Sequence, residues 1–392
     1  MNRFLTKFIK ISLPTIVVTL FLLVLAIEVW VRFSWDPKRG SPGFYIASFS
    51  RLEQLAPNYS GWFAGVPIRT NNLGFRDPRD YSLDKSPNTF RIVVLGDSVT
   101  FGHGALYETT YPYLLETKLK SWKPDVDWQV WNLAVPGYKT SQELMYLLDI
   151  GPSYLPDLVV VGFYENDIIG NLPERKATRV RLLVNRTKSF LKTHFYSYEF
   201  YKKAYLQLSS TLFASDIHRQ MLKNLFREEK QLLRLDWVAN LEEQKLTPLK
   251  RIPNRHRLKT QCPSHSNPNL IDGIRRATSW HNTVDRLQRL NREGTYRILF
   301  FVNISPDICA KDDLFYHGPH KLLNEYFLEV FSNGGTPVVS SYDAFYPYRP
   351  SQMPLAQGHS LGNANLVKAE TLFQFLKNHF FPRIPKFTSK RN

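Results

Sequence analysis

Arg91-Ile-Val-Val-Leu-Gly-Asp-Ser-Val-Thr-Phe-Gly102 places a serine just past a short apolar strand, in a turn flanked by Gly96 and Gly102. Ile92 to Leu95 is β-branched and aliphatic without alternation, which predicts a strand covered on both faces of a parallel sheet. Open α/β sheets bind ligands beyond the carboxyl ends of their strands, so Ser98 stands where such folds do chemistry. A Ser at this point can also simply cap the next helix. The choice between nucleophile and cap rests on the rest of the chain.

Working outward, strands are predicted at Trp128 to Ala134, Leu158 to Phe163, Ile298 to Val302 and Pro337 to Ser340. Helical periodicity falls between them, at Tyr111 to Leu119, Ser141 to Leu148, Ile271 to Asn291 and His320 to Phe331, with a last helix from Asn363 to Leu376. Five strands alternating with helices specify an α/β fold, a three-layer sandwich around a five-stranded parallel sheet. The domain is expected over 91–380. Asp36 to Asn88, rich in Pro, Gly, Asn and Ser with isolated aromatics, reads as a lead-in segment (36–90) wrapped on the domain surface.

The 392 residues are 43% apolar, ample for a packed core and incompatible with a disordered chain. Ile11 to Phe33 is long enough to cross a hydrocarbon layer of roughly 30 Å, with Pro14, Glu28 and Arg32 its only strongly disfavoured members. It ends without an A-x-A cleavage site, so residues 1–35 are expected to be a retained single-pass anchor, with a buried amphipathic helix as the alternative. Arg3, Lys7 and Lys10 nearly balance Arg32, Lys38 and Arg39, so charge decides the orientation weakly. The amino terminus is placed inside and the bulk of the chain outside, in the periplasm or beyond the cell. Cys262 and Cys309 are too few for a disulfide framework, and one bridge between them would suit an oxidising compartment. Cys262 and His265, with His256 and His281 nearby, lack the four well-spaced ligands of a zinc site, and no metal or other cofactor is expected.

Residues 171–296 interrupt the strand rhythm with helix-compatible sequence, such as the amphipathic stretch Ser209 to Leu235, and are expected to be a helical insertion or cap. They carry 25 Lys or Arg against 11 Asp or Glu, a net +14 of the chain's +17. A basic surface of this kind suits an anionic polymer or lipid head groups, or consists only of solvated helix faces. No nucleic-acid-binding motif accompanies it, and nucleic acid is not expected as a partner.

Three more features fall at strand ends of the same sheet. Asn132-Leu-Ala-Val-Pro-Gly-Tyr138 puts Gly137 in a tight loop, Gly162-Phe-Tyr-Glu-Asn-Asp167 puts Asn166 at a carboxyl edge, and Gln357-Gly-His-Ser-Leu-Gly362 puts His359 just before the last helix. Acyl transfer needs a nucleophile, a base for its proton, and donors aimed at the developing oxyanion. Ser98, His359, the Gly137 and Ser98 backbone N–H groups and the Asn166 amide can supply these. Each also has a structural reading: Gly137 as a turn glycine, Asn166 as a turn cap, His359 as a helix-start histidine. His103, five residues after Ser98, is read as lining the loop rather than as the base, and Asp97 as stabilising the turn.

The order Ser98, Gly137, Asn166, His359, with Gly-Asp-Ser in the first block, resembles an SGNH hydrolase of the GDSL esterase/lipase superfamily. The resemblance covers 91–170 and 297–380 and leaves out the insertion. Arg69-Thr-Asn-Asn-Leu-Gly-Phe-Arg76 is similar to the segment preceding this block in bacterial membrane-anchored members. It implies a flavodoxin-like sandwich, metal-free catalysis and an acyl-enzyme on Ser98, with esters of sugars, lipids or thiols as substrates. One position departs from the pattern. Family members carry an Asp two or three residues before the histidine, where this chain has Gln357 and Ala356. The Gln357 carbonyl can hold the imidazole tautomer but cannot stabilise an imidazolium as a carboxylate does. In serine proteases, loss of that carboxylate lowers turnover by about 10⁴-fold. Three outcomes are compatible: a Ser-His dyad, a substitute carboxylate such as Asp343, or a site decayed into a binding pocket. The expected function is a membrane-anchored serine esterase or acyl transferase acting on O-acyl, chiefly O-acetyl, esters of a surface carbohydrate. A lipid esterase, or a binding and assembly protein for an anionic polymer, is the alternative.

Overall fold

The computed structural model describes residues 2–35, 42–48, 50–168, 179–198, 244–252, 268–356 and 359–384, with isolated positions between 200 and 208. At its centre are five strands, β1 (Thr89–Gly96), β2 (Asp127–Asn132), β3 (Leu158–Phe163), β4 (Ile298–Val302) and β5 (Val338–Ser340). All pair in parallel in the order β2-β1-β3-β4-β5, the flavodoxin-like arrangement. The absence of alternation in β1 has its predicted cause: Ile92 and Val94 face one core while Val93 and Leu95 face another.

Among the described residues the main helices are α1 (Asn2–Ser34), α2 (Ser98–Phe101), α3 (Tyr111–Trp122), α4 (Thr140–Tyr154), α5 (Arg179–His194), α6 (Pro268–Arg275), α7 (Thr278–Arg292), α8 (Pro319–Asn333) and α9 (Gly362–Phe375). Leu115 and Leu119 of α3 and Leu372 and Phe373 of α9 cover one sheet face. Leu144 and Leu147 of α4, Trp280 and Val284 of α7 and Phe327 and Phe331 of α8 cover the other. Ser12–Ser34 within α1 is long and apolar enough to cross a membrane.

Two expectations need correction. The lead-in is not a surface wrapping: it forms two antiparallel hairpins, Tyr45–Ser48 with Leu52–Leu55 and Ser60–Phe63 with Val66–Arg69. Phe44, Leu55, Val66, Ile68 and Phe75 are buried in the core shared with α4. Its scattered aromatics are core side chains delivered one at a time by tight turns. The helix expected over Ile271 to Asn291 is two helices, α6 and α7. Between them Ala277 N–H donates to Ile274 O and Thr278 N–H to Arg276 O, a turn that brings both Ile274 and Trp280 into one core. Ser209 to Leu235 lies outside the described residues, as do His256, Cys262 and His265. Cys309 is disulfide-bonded.

Candidate active site

Strand β1 ends on a glycine because its surroundings leave no room for a side chain. A Cβ on Gly96, whose φ is +156°, would collide with the Thr100 hydroxyl and approach Gly162 O to 2.9 Å. Asp97 then caps α2, its Oδ1 accepting from Val99 N–H at 2.9 Å, and Ser98 opens the helix. The turn-stabilising role expected for Asp97 is what the structure shows. The loop beyond Ser98 is held from below by Arg76, a buried guanidinium that donates to Phe101 O (2.8 Å), Gly102 O (2.7 Å) and Ala105 O (2.6 Å). Burial brings that guanidinium down to about 9. Asn132 Nδ2 adds a donor to Thr100 O at 3.2 Å, and the Gln244 side chain, from the insertion, bonds both Leu106 N–H and Gly104 O.

His359 reaches the site from the opposite end of the chain. A bridge of two residue pairs, Leu355–Ala356 with His359–Ser360, presents it ahead of α9. Its Nε2 lies 2.8 Å from Ser98 Oγ, while Asp97 Oδ2 is 3.3 Å from the same oxygen. On its other side the ring of His103 lies 4.6 Å away at 31°, and Phe63 from the lead-in meets His103 edge-on at 5.3 Å. Burial, then the neighbouring His359 and Arg76, depress His103 to about 3. A histidine that stays neutral at such a pH is a poor base near neutrality. His103 therefore supports the ring that faces Ser98.

The remaining two predicted residues stand at the same sheet edge. Gly96 pairs with Gly162, and Val135 N–H donates to Gly96 O at 3.0 Å, so the loops carrying Gly137 and Asn166 start level with the serine turn. Gly137 is exposed at φ +88°, where glycine is favoured by backbone conformation and not by crowding. Asn166 is exposed in the turn Glu165–Asp167, and Lys139 Nζ donates to its carbonyl at 2.6 Å, tying the two loops together. Asp343 is exposed in the turn Tyr342–Phe345, and Gln357 lies outside the described residues.

Beneath the serine is a cluster that sequence reasoning missed. Glu143 of α4 and Asp167 are fully buried near Asp97; burial and then the charge of Asp97 push both carboxyls well above the usual range. Buried Lys368 of α9 is brought down to about 7 by burial, opposed by Asp97. Arg76 and Phe63 were missed too. Arg76 acts on carbonyls 25 to 29 positions away and Phe63 on a ring 40 positions away, contacts that leave no periodic trace, although Arg76 sits inside a motif that the sequence singled out.

This arrangement can activate a hydroxyl for attack on a carbonyl. The family described as GDSL-like Lipase/Acylhydrolase matches residues 92–320, more than half of the chain. The chain belongs to this family. It is an ester hydrolase of the GDSL/SGNH type. The family match runs through the insertion, which the sequence resemblance had left out, and stops short of His359. No curated protein matches the chain. Among solved structures it is similar to LAE5, an alpha/beta hydrolase enzyme from the metagenome of Lake Arreo, Spain, at 14% identity over 73% of this chain and 94% of that one, TM-score 0.37. It is also similar to a catalytic mutant of Axe2, an acetylxylan esterase from Geobacillus stearothermophilus, at 9% identity over 76% and 98%, TM-score 0.38.

Proposed function

We propose that the protein is a membrane-anchored serine esterase or acyl transferase acting on O-acyl, chiefly O-acetyl, esters of a surface carbohydrate. The observation that carries the catalytic part is the 2.8 Å contact between Ser98 Oγ and His359 Nε2. In this reading His359 takes the Ser98 proton as Oγ bonds to the ester carbonyl carbon. The Ser98 and Gly137 N–H groups and the Asn166 amide receive the developing oxyanion. His359 then returns the proton to the departing alkoxide, leaving an acyl-enzyme on Ser98. Water or a second hydroxyl, deprotonated by the same imidazole, releases the acyl group, and the identity of that acceptor decides between hydrolysis and transfer. No metal or cofactor enters these steps.

The anchor rests on Ser12–Ser34, and an exported location is supported by the disulfide-bonded Cys309. A carbohydrate substrate draws on the family's known ester substrates and on the basic insertion, whose net +14 suits an acidic polymer.

A fluorophosphonate probe tests the catalytic assignment. Wild type is expected to label at Ser98, with Ser98→Ala silent and His359→Ala slowed to background. Equal labelling of wild type and His359→Ala overturns the Ser-His reading, and a wild type that does not label at all leaves a binding protein. Acetate release from O-acetylated polysaccharide, set against fatty-acid release from phospholipid, decides the substrate class. Preference for phospholipid overturns the carbohydrate assignment.

A further inference from the structure

A surface helix of a soluble protein turns its apolar stripe toward the core. Helix α5 does the reverse. Val180, Leu183, Val184, Phe190 and Leu191 recur at helical spacing along one face and are exposed, Val180 at 73%, Leu183 at 66% and Phe190 at 56%. The opposite face is the one that packs on the lead-in: Ser189 Oγ accepts from Ala47 N–H at 2.8 Å and Lys192 pairs with Glu53 at 3.2 Å. At 100° per residue the apolar positions span an arc of about 120°, with Arg186 on one flank and Lys188 on the other. The helix has five Lys or Arg and no Asp or Glu. An apolar arc flanked by basic residues is the pattern of a helix lying in a membrane interface.

Its position agrees with that pattern. Glu28, near the end of the apolar span, is buried, and its carboxylate accepts from Ser197 N–H (2.9 Å), Ser197 Oγ (2.6 Å) and Tyr196 N–H (3.2 Å), just past α5. Arg32 pairs with Glu28 at 2.6 Å and donates to His194 O at 2.7 Å. Trp30 meets Phe200 and Trp35 meets Tyr196 edge-on, aromatic pairs at the level where a span would leave the hydrocarbon. The carboxyl end of α5 is thus fastened to the end of α1 by hydrogen bonds. Exposed Phe195, Phe200, Tyr205 and Leu208 extend the apolar surface from there.

We infer that α5 is a second membrane contact, lying flat on an anionic lipid surface with Leu183 and Phe190 inserted and Arg186 and Lys188 at the phosphates. This rests on the reading of Ser12–Ser34 as a span. Against a bilayer, the inverted stripe, the lack of acidic residues and the buried Glu28 grip all have one cause.

The test uses the full chain in lipid nanodiscs, with an environment-sensitive fluorophore on Leu183→Cys, Phe190→Cys, Leu20→Cys within the span, or exposed Leu155→Cys in the turn between α4 and β3, and a nitroxide quencher on the lipid. With phosphatidylglycerol present, labels at 183 and 190 are expected to lose about half of their emission or more, as groups seated roughly 5–10 Å into the interface do. That loss is expected to shrink in pure phosphatidylcholine or in about 0.5 M salt, while the label at 155 stays bright. Quenching at 20 with 183 and 190 remaining aqueous keeps the span and overturns the inference. Quenching at 183 and 190 without 20 overturns the span and keeps the surface contact. Emission at 183 and 190 that depends on protein concentration and not on lipid charge shows a second copy on this face, and overturns it as well.

Discussion

The two arms of the site are built by different means. The serine arm grows from the central strand and is fixed by bonds from every side: Asp97 caps it, Arg76 gathers three carbonyls beneath it and Asn132 ties it to β2. The histidine arm is a bridge of two residue pairs, steadied by ring contact with His103 and through it with Phe63. A nucleophile on a sharp turn needs a rigid backbone, because its oxygen and its N–H must both be aimed. A base has to rotate slightly as it accepts and returns a proton, and a neutral aromatic platform permits that rotation while keeping the ring in plane with its task.

Removing either chemical group should abolish the distinction between the arms. Ser98→Ala and His359→Ala are each expected to lower kcat/KM by roughly 10⁴–10⁶-fold, with the double variant no worse than either single one. Additive losses in steady-state assays would mean that the two residues act separately. Next in size is the rigidity of the serine arm. Arg76→Met leaves three carbonyls without their donor, and a displacement of about 1 Å at the nucleophile is expected to lower kcat by about 10–100-fold with KM little changed. An unchanged kcat in a folded variant would show that the loop does not need this anchor.

The histidine arm should be more forgiving. His103→Phe keeps a ring against His359 and is expected to lower kcat by about 3–10-fold, the order of one aromatic contact. Because His103 is held near 3, its removal should leave the acid limb of the pH–rate profile with a single ionisation, as in wild type. Loss of a second ionisation near neutrality would overturn the platform role. The smallest effect is expected on stability. Glu143 has a raised folded-state pKa, so the stability that it contributes is fully present below its ordinary value of 4.5 and is lost as pH rises through the folded value. Glu143→Gln does not ionise. Thermal unfolding should therefore show equal stability near pH 4 and a higher Tm for the variant at pH 8. No pH-dependent gap between the two proteins would remove Glu143 from the buried charge cluster.

What the sequence made legible follows from the range of each interaction. The sheet strands are continuous buried runs, so Leu158 to Phe163 and Ile298 to Val302 could be read to the residue. The Ser98–His359 pairing, 261 positions apart, was legible because both sit at element edges in a known order. The Phe63–His103–His359 ring contacts join a hairpin strand, the loop after α2 and the histidine bridge, and nothing local marks them. The lead-in was misread for a related reason: one buried aromatic per turn has no period. In α5 the periodicity was visible, but a pattern marks a face without saying whether protein or another phase covers it.

The separation of Ser98 and His359 also orders events in time. At translation rates of about 5–20 residues per second, roughly 13–50 s pass between synthesis of the serine turn and of the histidine bridge. On the proposed Ser98–His359 assignment, the serine is without its base during that interval. On that assignment hydrolytic competence arrives with the last helix, well after the amino-terminal segment has been made.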